Sequence, residues 1–303
     1  MQSILRTIKA ERLPGNPLIT PESAPTIGNN INGPSVIRVP DWIENPLGRY
    51  YMYFAHHGGD HIRLAYADAP EGPWTVYEPG TLQLDQAPAM THHIASPDVH
   101  VDHERRELRM YYHGIAKAPP GQWSSMATSK DGISFSSRSE ILGKFYLRVW
   151  KWQDVYYGIA KSDNAGWGQL LRSPDGLQPF EAREPFLMGM RHGAVHRMGH
   201  TLLVIYSRVG DAPERLLATI IDLRPDWTEW APAEPVELLE PEMPWEGVDH
   251  PVEPSQFGPA TGVRQLRDPC IFADGEQLYL YYSFAGEEGI AGAHLHVQGS
   301  AAH

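Results

Sequence analysis

Two short stretches carry the residues best suited to chemistry. Ser96-Pro97-Asp98-Val-His-Val and Arg267-Asp268-Pro-Cys-Ile-Phe each set an aspartate beside a proline at the opening of an apolar, strand-like run. Paired carboxylates can divide acid–base work on an acetal, one activating water and the other protonating the leaving oxygen. Other ionisable groups recur at comparable places: Glu287 and Glu288 in a glycine-flanked pair, Glu214, Asp211, and the histidines His56, His57, His93, His113 and His192. An imidazole exchanges protons near neutral pH with little tuning. Arg148, Arg191, Arg208, Arg267 and Lys161 add positive charge, and Asn32 opens another apolar run. An arginine taken out of water must either pair with a carboxylate or hold an anionic ligand. Each proline-flanked aspartate also suits an Asx-type turn, so only the fold separates the two uses.

These residues lie far apart in the chain and act together only if a repeat gathers them. The run Tyr50-Tyr-Met-Tyr-Phe-Ala returns as Leu108-Arg-Met-Tyr-Tyr-His, Val155-Tyr-Tyr-Gly-Ile-Ala, Leu202-Leu-Val-Ile-Tyr-Ser and Leu278-Tyr-Leu-Tyr-Tyr-Ser. Each copy follows a shorter apolar strand and precedes a third one. Four copies then show a turn and an aromatic, as in Lys130-Asp-Gly-Ile-Ser-Phe and Pro174-Asp-Gly-Leu-Gln-Pro-Phe. Asp-Gly supplies the left-handed positions of a tight hairpin. Five four-stranded antiparallel units describe an all-β, five-bladed β-propeller. A β-sandwich would not repeat one strand–turn pattern five times. The blades are expected near 30–85, 92–142, 143–188, 189–240 and 264–297, in a single domain over 1–303. The last copy has no fourth strand; the segment 3–13 is expected to supply it and close the ring. Residues 241–263 form a Pro-rich insertion, the kind of long loop that is commonly functional. In such a ring the first strands line a central channel. Their openings and the loops between second and third strands share one face, so all the residues named above converge on one mouth. Asp98 and Asp268 are expected at the same blade position.

Composition narrows the field. The 303 residues carry a net charge of −12, with 28 Gly, 27 Pro and one cysteine, Cys270. The negative balance argues against nucleic acid as a partner. A lone cysteine excludes an intramolecular disulfide and a Cys-based zinc cluster. No run of about 20 apolar residues suggests a membrane partner, and the opening residues do not read as a secretory signal, which together make a cytoplasmic location the expectation. No H-E-x-x-H occurs. The sequence requires no cofactor, while a divalent cation held by several blades is compatible with it. It does not specify an oligomeric state.

The second-blade motif, Ser96-Pro-Asp-Val-His-Val followed by Leu108-Arg-Met-Tyr-Tyr-His, resembles that of family-43 glycoside hydrolases. Those are arabinanases, arabinofuranosidases and β-xylosidases on five-bladed propellers. Arg267-Asp268-Pro-Cys-Ile-Phe resembles the Asp-Pro strand openings of the wider superfamily. The resemblance implies an inverting mechanism with a base, an acid and a third carboxylate that tunes the acid. By position Asp98 matches the tuning residue. The base position falls at Asn32-Gly33 and the acid position near Tyr146 to Arg148, and neither holds a carboxylate. If the reaction has moved, Asp268 is the first candidate for base and Glu287 or Glu288 for acid, with His57 or His192 as alternative proton donors. Asn32, His56, His93, His113, Arg148, Lys161, Arg191, Arg208, Asp211 and Arg267 would then bind substrate.

The first reading is therefore a glycoside hydrolase acting on a short oligosaccharide, an acidic one if the arginines are not spent internally. The second is a lyase on uronic-acid sugars that uses His, Tyr and Arg. The third is a non-catalytic propeller that binds carbohydrate or another partner, since fold alone does not imply activity.

Overall fold

The structure, a computed structural model, describes residues 2–162 and 166–297. Its strands form five antiparallel sheets arranged as the five blades of a propeller. Blade I holds strands Asn32–Arg38, Tyr50–Ala55, Arg63–Ala67 and Thr75–Tyr77. Blade II opens on the long strand Met90–Asp102 and continues through Glu107–Ala116 and Gln122–Ser129. Its outer edge is made by Ser136–Ser137 and by Gly143–Lys144, both paired with the third strand. Gly143 and Lys144 thus belong to blade II, where the sequence suggested the start of blade III. Blade III runs from Arg148 to Met188 and blade IV from Met190 to Leu239.

Blade V is built from Arg267–Asp274, Gln277–Phe284 and Gly289–His296, and Lys9–Arg12 adds its outer strand from the other end of the chain. The ring is closed as expected, but by a shorter piece. Gln2–Thr7 is helical, and its Leu5 packs with Ile8 against blades IV and V. Among the described residues no helix is long and apolar enough to cross a membrane.

The recurrent aromatic run is the second strand of each blade, the most enclosed position in the sheet. Tyr51, Met52, Tyr53 and Phe54 are all 0% exposed. A buried tyrosine needs a partner for its hydroxyl, and the repeat provides one across three of the five seams. Tyr53 donates to the carbonyl of Gly132 at 2.8 Å, Tyr111 to Gly176 at 3.1 Å, and Tyr281 to Pro70 at 2.8 Å. In each case the acceptor is the strand-three-to-four turn of the next blade. The Asp-Gly turns are shaped for it. Asp131 Oδ1 accepts from the backbone of Ile133 and Ser134, and Gly132 and Gly176 adopt φ +77° and +70°. A Cβ on Gly176 would lie 2.7 Å from the Tyr111 hydroxyl oxygen, so any larger residue there would push the seam open.

Four of the five first strands carry a one-residue bulge where they enter the channel. Pairing jumps from Asn32↔Ala55 to Ser35↔Tyr53 in blade I, and from Ala95↔His113 to Asp98↔Tyr111 in blade II. It jumps likewise from Met190↔Arg208 to Gly193↔Tyr206, and from Arg267↔Ser283 to Cys270↔Tyr281. A bulge leaves an extra residue unpaired and re-aims its side chain. Gly33, Ser96 and Asp268 take that place with φ of +63°, +49° and +48°, and Tyr146, just before the first strand of blade III, has φ +58°.

This register corrects the expectation that Asp98 and Asp268 are equivalent. Asp268 aligns with Ser96 and Gly33; Asp98 aligns with Cys270 and Ser35, two residues further along the strand. Side chains of this second row face the neighbouring blade. Ser35 Oγ accepts from Val99 N at 2.9 Å, Asp98 Oδ2 from Val149 N at 2.8 Å, and the Cys270 thiol from Val36 N. Each of these bonds ties one blade's first strand to the next.

Candidate active site

The bulges and the loops between second and third strands meet at one end of the channel around a narrow pocket. It encloses about 280 Å³ of empty space, mouth included, and narrows to room for about one water molecule. Blades I and II line it with Asn32, His57, His93, Ser96 and His113; Tyr146 enters from blade III, His192 from blade IV, and Asp268 and Glu287 from blade V.

Glu287 is 2% exposed and fully engaged. Its Oε1 accepts from Arg267 Nη1 at 3.0 Å, and its Oε2 accepts from Asn30 Nδ2 at 2.8 Å and Asn32 Nδ2 at 3.1 Å. His57 Nδ1 lies 3.5 Å from the same Oε2. Burial alone would push this carboxyl up, but His57, Arg267 and Asn30 outweigh it and hold Glu287 below the ordinary range. Glu287 is an anchored anion.

Asp268 is its opposite. It is 2% exposed, and its Oδ2 has no hydrogen-bond partner among the described residues. Oδ1 lies 3.0 Å from His192 Nδ1, but the ring N–H direction is not aligned for a bond. Burial, followed by the charge of Glu287, raises the Asp268 carboxyl to about 7 against the pull of Arg267 and Arg148. A side chain held in the left-handed region with an unsatisfied buried oxygen is strained and polar at once, a combination that concentrates at functional sites.

A run of rings leads away from Asp268. The Tyr146 ring stands edge-on to His192 at 4.3 Å and to His113 at 4.6 Å, and His113 meets His93 at 5.8 Å. Burial, reinforced by nearby positive charge, keeps these imidazoles neutral: His93 is lowered to about 4, and His113 and His192 fall well below the usual histidine value. Burial and the nearby Asp268 and Glu287 charges push the Tyr146 hydroxyl up, so it stays protonated.

The arginines lie behind this wall and are internally matched. Glu214, 0% exposed, accepts from Arg191 Nε at 2.8 and 3.0 Å and lies 3.3 Å from Arg267 Nε. Arg148 donates to the carbonyls of Ser96, Pro97 and Gly193. The sequence offered a carboxylate or an anionic ligand; the partners are Glu214, Glu287 and backbone oxygens. Arg208 pairs with Asp211 at 3.2 Å, and Lys161 Nζ lies 4.6 Å from the Phe257 ring centroid. Neither these four residues nor His56 and Glu288 belong to the pocket lining.

Asp98 is likewise outside the lining. Its Oδ2 is shared between Val149 N and His100 Nε2, each at 2.8 Å. Burial disfavours its charge, yet His100, Arg148 and the Val149 N–H together keep its pKa below the ordinary range. The tuning role implied by resemblance falls on a residue committed to the seam. The sequence also did not single out Ser96, Gln122 or Asn30. Asn30 precedes the first strand and carries no motif; only the register makes Ser96 the counterpart of Asp268. Among the described residues no three His, Cys, Asp or Glu side chains are grouped so as to hold a metal ion.

The closed ring of five antiparallel blades is the fold of solved family-43 glycoside hydrolases. A family-43 β-xylosidase/α-arabinofuranosidase from a compost metagenome, solved with xylotriose, superposes with TM-score 0.63 at 12% identity over 95% of each chain. A family-43 enzyme of Xanthomonas citri gives 0.61 at 13% over 97% of this chain and 93% of its own. The α-L-arabinofuranosidase PaAbf62A of Podospora anserina gives 0.59 at 13% over 93% and 95%. At this identity the likeness is one of fold. In sequence, the chain belongs to the family of the uncharacterized protein R118 of Acanthamoeba polyphaga mimivirus, with 36% identity over 325 aligned positions covering 94% of this chain and 89% of the relative. No family model matches it.

Proposed function

We propose that this protein is an inverting glycoside hydrolase acting on a short oligosaccharide at the channel mouth. The observation that carries the reading is Asp268, a buried carboxylate with a free oxygen, raised to about 7 and set beside an ionised glutamate. A base is most effective when its pKa lies near the working pH. In the proposed step the Asp268 carboxylate takes a proton from water. The water oxygen bonds to the anomeric carbon as the glycosidic C–O bond breaks, and His57, held by Glu287, protonates the leaving oxygen. One water is added, and the new hydroxyl appears on the opposite face of the sugar. The narrow base of the pocket suits that water, with the sugar rings lying outward of it.

The internal pairing of Arg191, Arg267 and Arg208 favours a neutral sugar over an acidic one. It also weighs against the lyase reading, which needs a cation for the substrate carboxylate. Tyr146 between two neutral imidazoles is the observation that keeps a lyase second. A purely binding role would leave the unpartnered Asp268 without purpose.

The test is mass spectrometry of products from neutral and uronic oligosaccharides, with wild type beside Asp268→Asn. Products that gain one water, absent with the variant, support the hydrolase. Unsaturated products without added water support the lyase. No change in any sugar of the panel counts against both.

A further inference from the structure

The insertion between blades IV and V, residues 240–266, plays no part in the step above, yet it is fastened to the residues that shape the pocket. Arg191 donates to the carbonyl of Gln256. Arg267, the arginine that also holds Glu287, donates to the carbonyl of Gly258 at 3.1 Å. Two arginines, 3% and 0% exposed, thus grip the backbone on either side of Phe257. Ser255 N donates to Asp211 O at 3.0 Å and Glu287 N to Ala260 O at 2.8 Å, which fixes the segment to blades IV and V. Phe257, between the two gripped carbonyls, remains 49% exposed. One face of its ring lies over Lys161 Nζ at 4.6 Å, and the same Nζ lies 5.8 Å from Phe145, beside the pocket residue Tyr146. About half of the Phe257 surface stays open to solvent.

We infer that Phe257 is the stacking platform on which the leaving-group end of an oligosaccharide rests, its exposed surface taking the C–H face of a pyranose ring. This rests on the hydrolase reading. The platform is rigid because the clamping arginines are buried and matched, so stacking costs little ordering of the protein. It is coupled to the chemistry because Arg267 grips both Gly258 and Glu287. A substrate long enough to reach Phe257 gains affinity over a single sugar, and the gain belongs to the outer ring alone.

The test uses xylose and xylotriose as probes, with binding measured by calorimetry on the full chain in an Asp268→Asn background. Phe257→Ala is expected to weaken xylotriose binding about fivefold to tenfold, the size of one aromatic contact, and to leave xylose unchanged. Phe257→Trp is expected to retain the trisaccharide affinity. Val252→Ala, at an exposed apolar residue of the same insertion, is the control and is expected to change neither. Equal loss for xylose and xylotriose, or no loss for either, would overturn the platform while leaving the hydrolase reading intact. Failure of both probes to bind the parent Asp268→Asn protein, with no hydrolysis by wild type, would sink the hydrolase reading and the platform with it.

Discussion

Two aspartates flank prolines at the entrances of blades II and V, one after its proline and the other before, and that difference of order separates their fates. Asp268 sits at the bulge, where the strand twists the side chain into the channel. Asp98 sits one step past the bulge, where the strand has resumed its pleat and side chains meet the next blade. The same kind of carboxylate is therefore left short of partners in blade V and saturated in blade II. Burial is not what separates them, since both lie largely inside. The number of donors aimed at each is decisive. A buried carboxylate given a backbone N–H and an imidazole is a strut; one given none, beside a second anion, becomes a proton exchanger.

The contrast breaks most sharply by substitution. Asp268→Asn should lower turnover by about 10²–10⁴-fold, the usual worth of a positioned base, with the fold intact, because Oδ2 has no hydrogen-bond partner among the described residues for the amide to lose. Steady-state rates and a thermal melt on the same sample check both halves. Asp98→Ala should do the reverse. It leaves the Val149 N–H without its acceptor and His100 without its carboxylate, a cost of about 1–3 kcal/mol, read as a lowered Tm. The turnover per folded molecule should stay near wild type. A turnover loss in Asp98→Ala matching that of Asp268→Asn would erase the distinction.

The architecture was legible because it is periodic. The five aromatic runs and the Asp-Gly turns announce themselves by repetition, and each has the physical role its residues suggest: buried second strands and left-handed turns. The site was only partly legible because a bulge has no sequence signature of its own. Gly33, Ser96 and Asp268 share a backbone conformation while sharing no residue type, so their equivalence shows only in the pairing register. The reading of Asp98 and Asp268 as twins failed for that reason. Arg148, Arg191 and Arg267 lie in first strands, where the repeat puts them. Their partners were unreadable, because Glu214 lies in a loop between strands and the Gln256 and Gly258 carbonyls come from the insertion. Phe257 carried no signal beyond its place in a proline-rich stretch.

The pH dependence sharpens the comparison at intermediate size. A base raised to about 7 must be deprotonated to act, so the acid limb of the kcat/KM profile should rise through about 7, with the proton donor setting the alkaline limb. The fold should respond oppositely. Because the folded carboxyl is raised above its unfolded value, its contribution to stability is full below about 4, the unfolded aspartate pKa. That contribution is lost progressively as pH rises to and through about 7. Asp98, lowered by its partners, contributes with the other sign, adding stability above the unfolded pKa and losing it as pH falls into the acid range. Melting curves of Asp268→Asn should therefore lose part of the wild-type decline between pH 4 and 7, while Asp98→Asn should change only the acid side.

The smallest expected effect tests whether the row that contains Asp98 is a structural row throughout. Cys270 stands at the same register as Asp98 and accepts from Val36 N, as Ser35 does from Val99 N one seam further on. The seam asks for a compact acceptor and makes no use of thiol reactivity, which burial suppresses by raising the Cys270 thiol to about 12. Cys270→Ser should then keep the bond and shift stability by less than about 1 kcal/mol, whereas Cys270→Ala should lose roughly the worth of one hydrogen bond, about 0.5–1.5 kcal/mol. Neither should alter turnover. A change in kcat with Cys270→Ser at unchanged Tm would mean that this row also reaches the chemistry, and that the division between strut and proton exchanger drawn from Asp98 and Asp268 does not hold around the ring.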